Sequence, residues 1–301
     1  MDYIFNKYLK YLTRQKDRPV NTIKSYSKDL KNFSNYISTA GAQEITDVDS
    51  EMITDYLDFL RSAGRATSTV SRNLSAIRNF FKYALKRGFV KQNPTVDVKA
   101  PRVLKKKPSI LSEEEIDLLM KQPDYKNFKG YRDKAMLELL YATGIKVSEL
   151  INLKKEDIDF ENSTIKCITS KGHRHIPLGD VAKNALKDYI RKVSTELPSV
   201  QENELLFLNF KGEQMTRQGF WKIIKTYKIK ANIKTEITPY TIRHSFATHL
   251  FQNGADLKSI QKLLGHSDIS STQKYASLND GRLETIYKRT HPRAKVEDDD
   301  E

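Results

Sequence analysis

The chain is short of cysteine: among 301 residues there is one, Cys167. A single thiol cannot close an internal disulfide and cannot build a CxxC metal cluster, so disulfide-stapled scaffolds and cysteine zinc modules are excluded. That usage fits a reduced, intracellular compartment, and a cytoplasmic protein is expected. Long apolar runs are missing too. No stretch approaches the roughly 18 residues that a membrane span requires, so no membrane partner is expected. The first residues, "MDYIFNKYLKYLTRQKDRP", carry neither an apolar core nor a small-residue cleavage site and do not read as a signal peptide. Acidic charge is in deficit, with 38 Asp and Glu against 52 Lys and Arg, a formal net charge of +14. Such an excess points to a polyanionic partner, nucleic acid ahead of a membrane surface.

What is present is periodicity and basic charge. Residues 1–108 hold 21 Lys and Arg against 10 Asp and Glu, and the five acids of Glu297–Glu301 offset part of the total at the other end. The segment Met1–Gly88 reads as four helices. Ile23, Tyr26, Leu30, Phe33 and Ile37 recur at helical spacing over Val20–Ser38. Ile53, Tyr56, Leu57 and Leu60 do so over Glu51–Ser62, and Val70, Leu74, Ile77, Phe80, Phe81 and Ala84 over Thr67–Arg87. The last of these helices interleaves Arg72, Arg78, Lys82 and Lys86, which suit either phosphates or a solvated face. Asn93–Pro108 has three prolines, no periodicity and the Lys105–Lys107 run, and reads as a linker. Domain boundaries are therefore expected at 1–92 for a helical DNA-binding domain, 93–108 for the linker, 109–294 for a second domain and 295–301 for an acidic, disordered tail.

The second domain opens on "ILSEEEI". Ser112 and Glu115 form a capping box, with Leu111 and Ile116 as the staple around it. Tyr131–Thr143 is a helix stopped by Gly144. "STIKCI" and "HRHIPL" flank "TSKG" as a hairpin, and helices fit Val181–Lys192, Thr216–Tyr227, Pro239–Gln252, Asp256–Leu264 and the region from Ser270. The fold class is mainly α with a small antiparallel β-sheet.

The segment "TPYTIRHSFATHL" places an arginine and two histidines on one helix. His244 and His249 are five apart, so their rings diverge, whereas helical metal ligands favour a spacing of four; they read as packing or surface residues. Arg243 lies early in the helix after Pro239, where free N–H groups and the dipole favour an anion, and its guanidinium matches a phosphate with two parallel bonds. Downstream, "LLGHSDISSTQKYASL" places His266 after Gly265 and Tyr275 nine residues on. A tyrosine hydroxyl is a competent nucleophile when cations and donors stabilise the phosphate it attacks.

These residues, together with "RHSFATHL", "TRQGFWKIIK" and "YKRTHPRA", resemble the tyrosine recombinases of the phage integrase superfamily, and within it the Xer group, from about Val20 to Ala294. The resemblance implies a two-domain architecture, a helical core-binding domain and an α+β catalytic domain, closing on double-stranded DNA as a C-shaped clamp. It implies that Tyr275 attacks a scissile phosphate to give a 3′-phosphotyrosyl link, with bond energy held in that link so that neither metal nor cofactor is needed. Arg243 matches the second catalytic arginine, His266 the histidine before the nucleophile, and Lys171 the lysine that protonates the leaving oxygen. His173 and His175 beside it have no such role and read as surface residues. Two positions depart from the pattern: Lys146 stands in "ATGIKVSEL" where an arginine is expected, and Tyr240 stands where the family has a histidine. Lysine keeps the charge and loses the planar fork. The implied partners are a recombination site, a tetramer with a second Xer-type recombinase, and a cell-division DNA translocase. The segment "SLNDGRLETIYKRTHPRA" is expected to form a helix, with Leu283, Ile286 and Tyr287 on one face, that docks on a neighbouring protomer. A catalytically impaired paralogue that binds DNA, and an integrase of a mobile element, remain as alternative readings.

Overall fold

The computed structural model describes residues 2–14, 20–102, 108–169, 172–196, 203–266, 268 and 270–276. The chain divides into two compact units, Met1–Lys106 and Lys107–Glu301.

The first unit is helical: α1 (Asp2–Arg14), α2 (Val20–Thr39), α3 (Ser50–Ser62) and α4 (Thr67–Lys86), with a short 3₁₀ turn at Ile45–Asp47. The three periodic segments become helices within a residue or so of the expected ends. Asp49 caps α3 by accepting from the Met52 amide at 2.8 Å. The periodic residues form the core: Leu30, Phe33, Ile37, Ile53, Tyr56, Leu57, Val70, Leu74, Ile77, Phe80 and Phe81 are all buried. Phe80 anchors it, stacking on Phe5 at 4.3 Å between centroids and meeting Tyr8 edge-on at 5.5 Å. Each such side chain contributes about 1.5–3 kcal/mol by burial, as an upper figure.

Two of the four basic residues interleaved on α4 serve this scaffold. Arg72 makes bonds of 2.8 and 2.9 Å to the buried carboxylate of Asp29, and Arg78 donates to the Val98 carbonyl. Val98 lies in the segment read as a linker, yet it is buried with Val90 in the first core, so the chain stays on this unit past residue 92.

The second unit begins with α5 (Glu113–Met120), whose capping box is complete: Ser112 Oγ accepts from the Glu115 amide, and Glu115 Oε2 from the Ser112 amide. α6 (Phe128–Thr143) is the central helix, with Ala135, Met136, Leu137, Leu139 and Leu140 fully buried. It starts one turn earlier than hydrophobic spacing predicts, because Asn127 caps it through the amides of Lys129 and Gly130. A four-residue α7 (Val147–Leu150) and a two-residue strand β1 (Ile158–Asp159) are too short to leave a periodic signal. The hairpin is β2 (Thr164–Thr169) and β3 (Gly172–Pro177), antiparallel with Cys167 opposite Arg174 and Thr169 opposite Gly172, and β1 adds to the far side of β2. His173 and His175 face outward on β3. α8 (Asp180–Glu196), α9 (Arg217–Lys230), α10 (Pro239–Gln252), α11 (Leu257–Leu264) and α12 (Ser270–Ala276) complete it. Cys167 is buried, which pushes its thiol up to about 12 and leaves it unreactive. The segment from residue 277 onward, with its expected helix and acidic tail, lies outside the described residues.

Candidate active site

Arg243 organises the site. Thr238 caps α10 by accepting from the amides of Tyr240 and Thr241 at 3.3 and 3.2 Å, and Pro239 occupies the first turn, where its missing N–H costs nothing. Ser245 Oγ, one turn further, accepts from the Leu111 amide at 2.9 Å and pins α10 to the segment that leads into α5. Arg243 is thereby held inward, with 4% of its surface exposed.

Two helix ends meet its guanidinium. Gly144 closes α6 and Gly265 closes α11, both in the left-handed region at φ 58° and 65°. Arg243 donates through one terminal nitrogen to the Gly144 carbonyl and through the other to the Leu264 carbonyl at 2.7 Å. A cation is thus seated at the negative ends of two helices, which compensates for its burial. Burial pulls the guanidinium pKa down, while Glu149 and Tyr275 pull it up, and an arginine remains charged throughout.

The nitrogen that bonds Leu264 also lies 3.1 Å from His266 Nε2. A guanidinium has no acceptor, so His266 Nε2 must accept; the imidazole proton is then on Nδ1, which faces Thr272 Oγ1 at 3.0 Å. The imidazole is half-buried, and Thr272 on α12 is fully buried. α12 also carries Tyr275, which has no exposed surface and sits in a small cluster with Phe246, Ala247, Ile260 and Leu264. Burial pushes the Tyr275 hydroxyl up to about 12, and Arg243 acts in the opposite direction. The hydroxyl lies 2.9 Å from His244 Nδ1.

On its outer side the site is a cleft of about 230 Å³ lined by Lys146, Val147, Ser148, Arg217, Tyr240 and Arg243. Lys146 precedes α7, where its amide donates to Glu149 Oε2 at 2.9 Å. Glu149 in turn holds Arg174 of β3 at 2.8 and 3.2 Å, and Arg174 Nε donates to the Leu263 carbonyl at 3.0 Å. The hairpin is thereby tied, at the third residue of β3, to α7 and to the end of α11. Lys171 comes between Thr169 and Gly172 in the sequence and lies outside the described residues.

The structure therefore brings together Arg243 and His266 by a direct bond, and Lys146, Tyr240 and Arg243 around one cleft. Tyr275 lies within the electrostatic reach of Arg243. Two residues escape sequence reasoning. Arg217, the first residue of α9, adds a cation to the cleft; it sits inside the quoted "TRQGFWKIIK", and nothing local marks it as facing Lys146 across 71 positions of chain. His244, which reads as a packing or surface residue, is bonded to the Tyr275 hydroxyl. His249 points elsewhere, 2.8 Å from the hydroxyl of Tyr141.

The family model described as "Phage integrase family" matches residues 109–282, and that described as "Phage integrase, N-terminal SAM-like domain" matches residues 5–88. The tyrosine recombinase XerD of Staphylococcus epidermidis is 40% identical over 296 residues, which is 98% of this chain and 100% of the relative. A structure of the XerH site-specific recombinase bound to difH substrate, a pre-cleavage complex, matches with a TM-score of 0.69 at 25% identity over 88% of this chain and 78% of that one. A lambda integrase dimer bound to a core site matches in fold, with a TM-score of 0.72 at 18% identity over 91% and 94% of the two chains. With two family models end to end and a near full-length relative at this identity, the chain belongs to the phage integrase family and is a site-specific tyrosine recombinase, an enzyme that cuts and rejoins DNA.

Proposed function

We propose that the chain works as an Xer-type recombinase on a duplex DNA site in the cytoplasm, resolving dimers of the chromosome or of plasmids, with Tyr275 as its nucleophile. The observation that carries this reading is the Arg243 guanidinium, bonded to His266 on one side and open to a cleft shared with Lys146 and Tyr240 on the other. A phosphodiester entering that cleft meets a fixed charge, and the Tyr275 hydroxyl is close enough to feel the same charge. Such preorganised donors act on the charge that builds on the phosphoryl oxygens in the transition state.

In this scheme Tyr275 Oη attacks phosphorus, the 3′-phosphotyrosyl bond forms, and the bond to the 5′-oxygen breaks. Arg243 and Lys146 hold the non-bridging oxygens, His266 joins them once its Nε2 leaves Arg243 and takes up a proton, Tyr240 donates from the rim, and Lys171 supplies the proton that the 5′-oxygen takes. Lys171 comes from the hairpin whose β3 strand is anchored through Arg174 and Glu149. Four protomers, two of them from a second Xer-type recombinase, exchange strands, with a cell-division DNA translocase as activator. The XerH complex with difH supports a duplex recombination site as substrate.

Lys146 and Tyr240 make the site slower than an Arg/His pair, since each removed donor is worth on the order of 10²–10³ in rate and each replacement retains part of it. The test is a nicked duplex carrying the dimer-resolution sequence of the chain's own genome, incubated with the protein and its partner recombinase. A covalent protein–DNA adduct is expected for wild type and none for Tyr275→Phe. An adduct that persists in Tyr275→Phe, or none in wild type, ends this reading.

A further inference from the structure

His244 contacts the nucleophilic oxygen and has no part in the scheme above. Its Nδ1 lies 2.9 Å from Tyr275 Oη, with the two ring centroids 5.6 Å apart. The contact joins two elements that pack directly, α10 and α12. We propose that His244 is the general base of strand cleavage, taking the phenolic proton of Tyr275 as the oxygen attacks phosphorus. The proposal rests on the reading of Tyr275 as the nucleophile.

Two further observations lead here. Tyr240, which stands where the resemblance leads one to expect a histidine, is 64% exposed and offers a phenol rather than an imidazole. Position 244 lies one helical turn on from 240, on the same side of α10, so an imidazole there faces the same region from one turn deeper. His266 is not a rival in this arrangement, because its Nε2 accepts from Arg243 and its Nδ1 faces Thr272. The need for a base is real: a hydroxyl titrating at about 12 is phenolate in only about one molecule in 10⁵ at pH 7.

The step balances. The Oη–P bond forms as the Oη–H proton passes to His244 Nδ1, leaving an imidazolium. The P–O5′ bond breaks, and the 5′-oxygen takes its proton from Lys171. In rejoining, the 5′-hydroxyl attacks the phosphotyrosine, its proton returns to Lys171, and the imidazolium gives its proton back to the departing phenolate.

The test compares His244→Ala and His244→Asn for single-turnover adduct formation on the same nicked duplex at saturating protein, beside wild type and Tyr275→Phe. Asparagine places an amide near the Nδ1 position, so it keeps the hydrogen bond but cannot carry a proton. Both variants are expected to form adduct 10²–10⁴-fold more slowly with DNA affinity unchanged, the usual range for loss of a general base. His244→Asn within threefold of wild type means that the contact merely positions Tyr275, and overturns the proposal. Either variant faster than wild type means that His244 restrains the nucleophile, which also overturns it. A third measurement needs neither variant to fold. In ¹⁵N-histidine spectra of wild type at pH 7, His244 is expected to carry its proton on Nε2, with Nδ1 an acceptor whose shift changes in Tyr275→Phe. A proton on Nδ1 refutes the base role. If wild type forms no adduct at all, the functional reading fails instead, and the spectra still decide whether His244 is poised as an acceptor.

Discussion

Gly144→Ala tests whether the corner between α6 and α7 holds Arg243 in place. Gly144 has φ of +58°, and its carbonyl accepts from Arg243. A left-handed backbone costs an alanine about 1–2 kcal/mol. A Cβ there also falls 2.2 Å from Phe246 Cδ1, 2.6 Å from Phe246 Cε1 and 3.0 Å from Leu264 Cδ2. No rotation of one flexible end relieves all three contacts, and overpacking of this kind costs about 1–3 kcal/mol. The total is about 2–5 kcal/mol, which lowers the melting temperature by on the order of 10 °C for a unit of this size. Gly254→Ala is the control: at φ +104° its backbone strain is at least as large, but nothing lies within 4 Å of the added carbon, so it carries strain without the clash beside Arg243. Phe246 and Leu264 border Tyr275, and the Leu264 carbonyl also accepts from Arg243. Gly144→Ala should therefore slow adduct formation by about 10²–10³ even well below its melting temperature, the scale of one lost preorganised donor. Melting curves and adduct rates on both variants check this. If Gly144→Ala melts no lower than Gly254→Ala and cleaves at the wild-type rate, the corner does not hold Arg243 as described.

Other perturbations follow from the same contacts. Burial alone would raise the carboxyl pKa of Glu149, but the Arg174 bonds and the Lys146 amide outweigh it and leave it below the usual range. Its stabilisation is thus present above the unfolded value of about 4.3 and lost as pH falls through the lower folded value. Glu149→Gln should cost about 3 kcal/mol at pH 7 by leaving the 13%-exposed Arg174 side chain unpaired, and should remove that acid-dependent component from urea titrations run between pH 3 and 6. Arg217→Ala should slow cleavage about tenfold and lower the salt slope of DNA binding by about 0.9, with Arg217→Lys restoring the slope but not the full rate; an unchanged slope excludes a phosphate contact. Lys146→Arg combined with Tyr240→His should raise the cleavage rate at least tenfold, and no gain would show that these positions do not limit the reaction.

The core of the first unit was legible because each helix repeats its apolar residues at one period, and a buried face needs no partner information to be seen. The capping box at Ser112 and Glu115 was legible for the same reason, being local. α7 and β1 were not, since four and two residues carry no period. Of the site, the residues with a fixed spacing from Arg243 could be listed from the sequence. Its chemistry could not, because the contacts that decide it are long in sequence: Arg243 with Gly144 across 99 positions, Leu111 with Ser245 across 134, Tyr275 with His244 across 31. Arg72 and Arg78 are the converse case. Their spacing suits a phosphate-facing stripe, yet Asp29 and the Val98 carbonyl engage them.

The departures at 146 and 240 take their weight from how Arg243 is already used. A guanidinium grips a phosphate two-pronged along an edge, and both such edges share the same terminal nitrogen. In Arg243 that nitrogen serves the Leu264 carbonyl and His266 Nε2, while the other terminal nitrogen gives one bond to Gly144. Neither edge is whole, so in this arrangement Arg243 offers single donors. His266 and Tyr275 are likewise paired within the protein, to Thr272 and His244. Such self-pairing lets a buried charge and a buried hydroxyl exist without DNA, since neither is left unsatisfied. A phosphate must then exchange these bonds rather than fill vacant ones. When its oxygen replaces His266 at the shared nitrogen, one edge of Arg243 is restored, and in the proposed scheme the imidazole then takes a proton on Nε2 and donates to the same phosphate. Among the described residues, Lys146 and Arg217 stand exposed at the rim of the cleft. In the proposed scheme they meet the phosphate first, Lys146 as a single long-reaching charge and Arg217 with the two-pronged contact that lysine cannot make, which is the contact that Lys146→Arg is expected to restore.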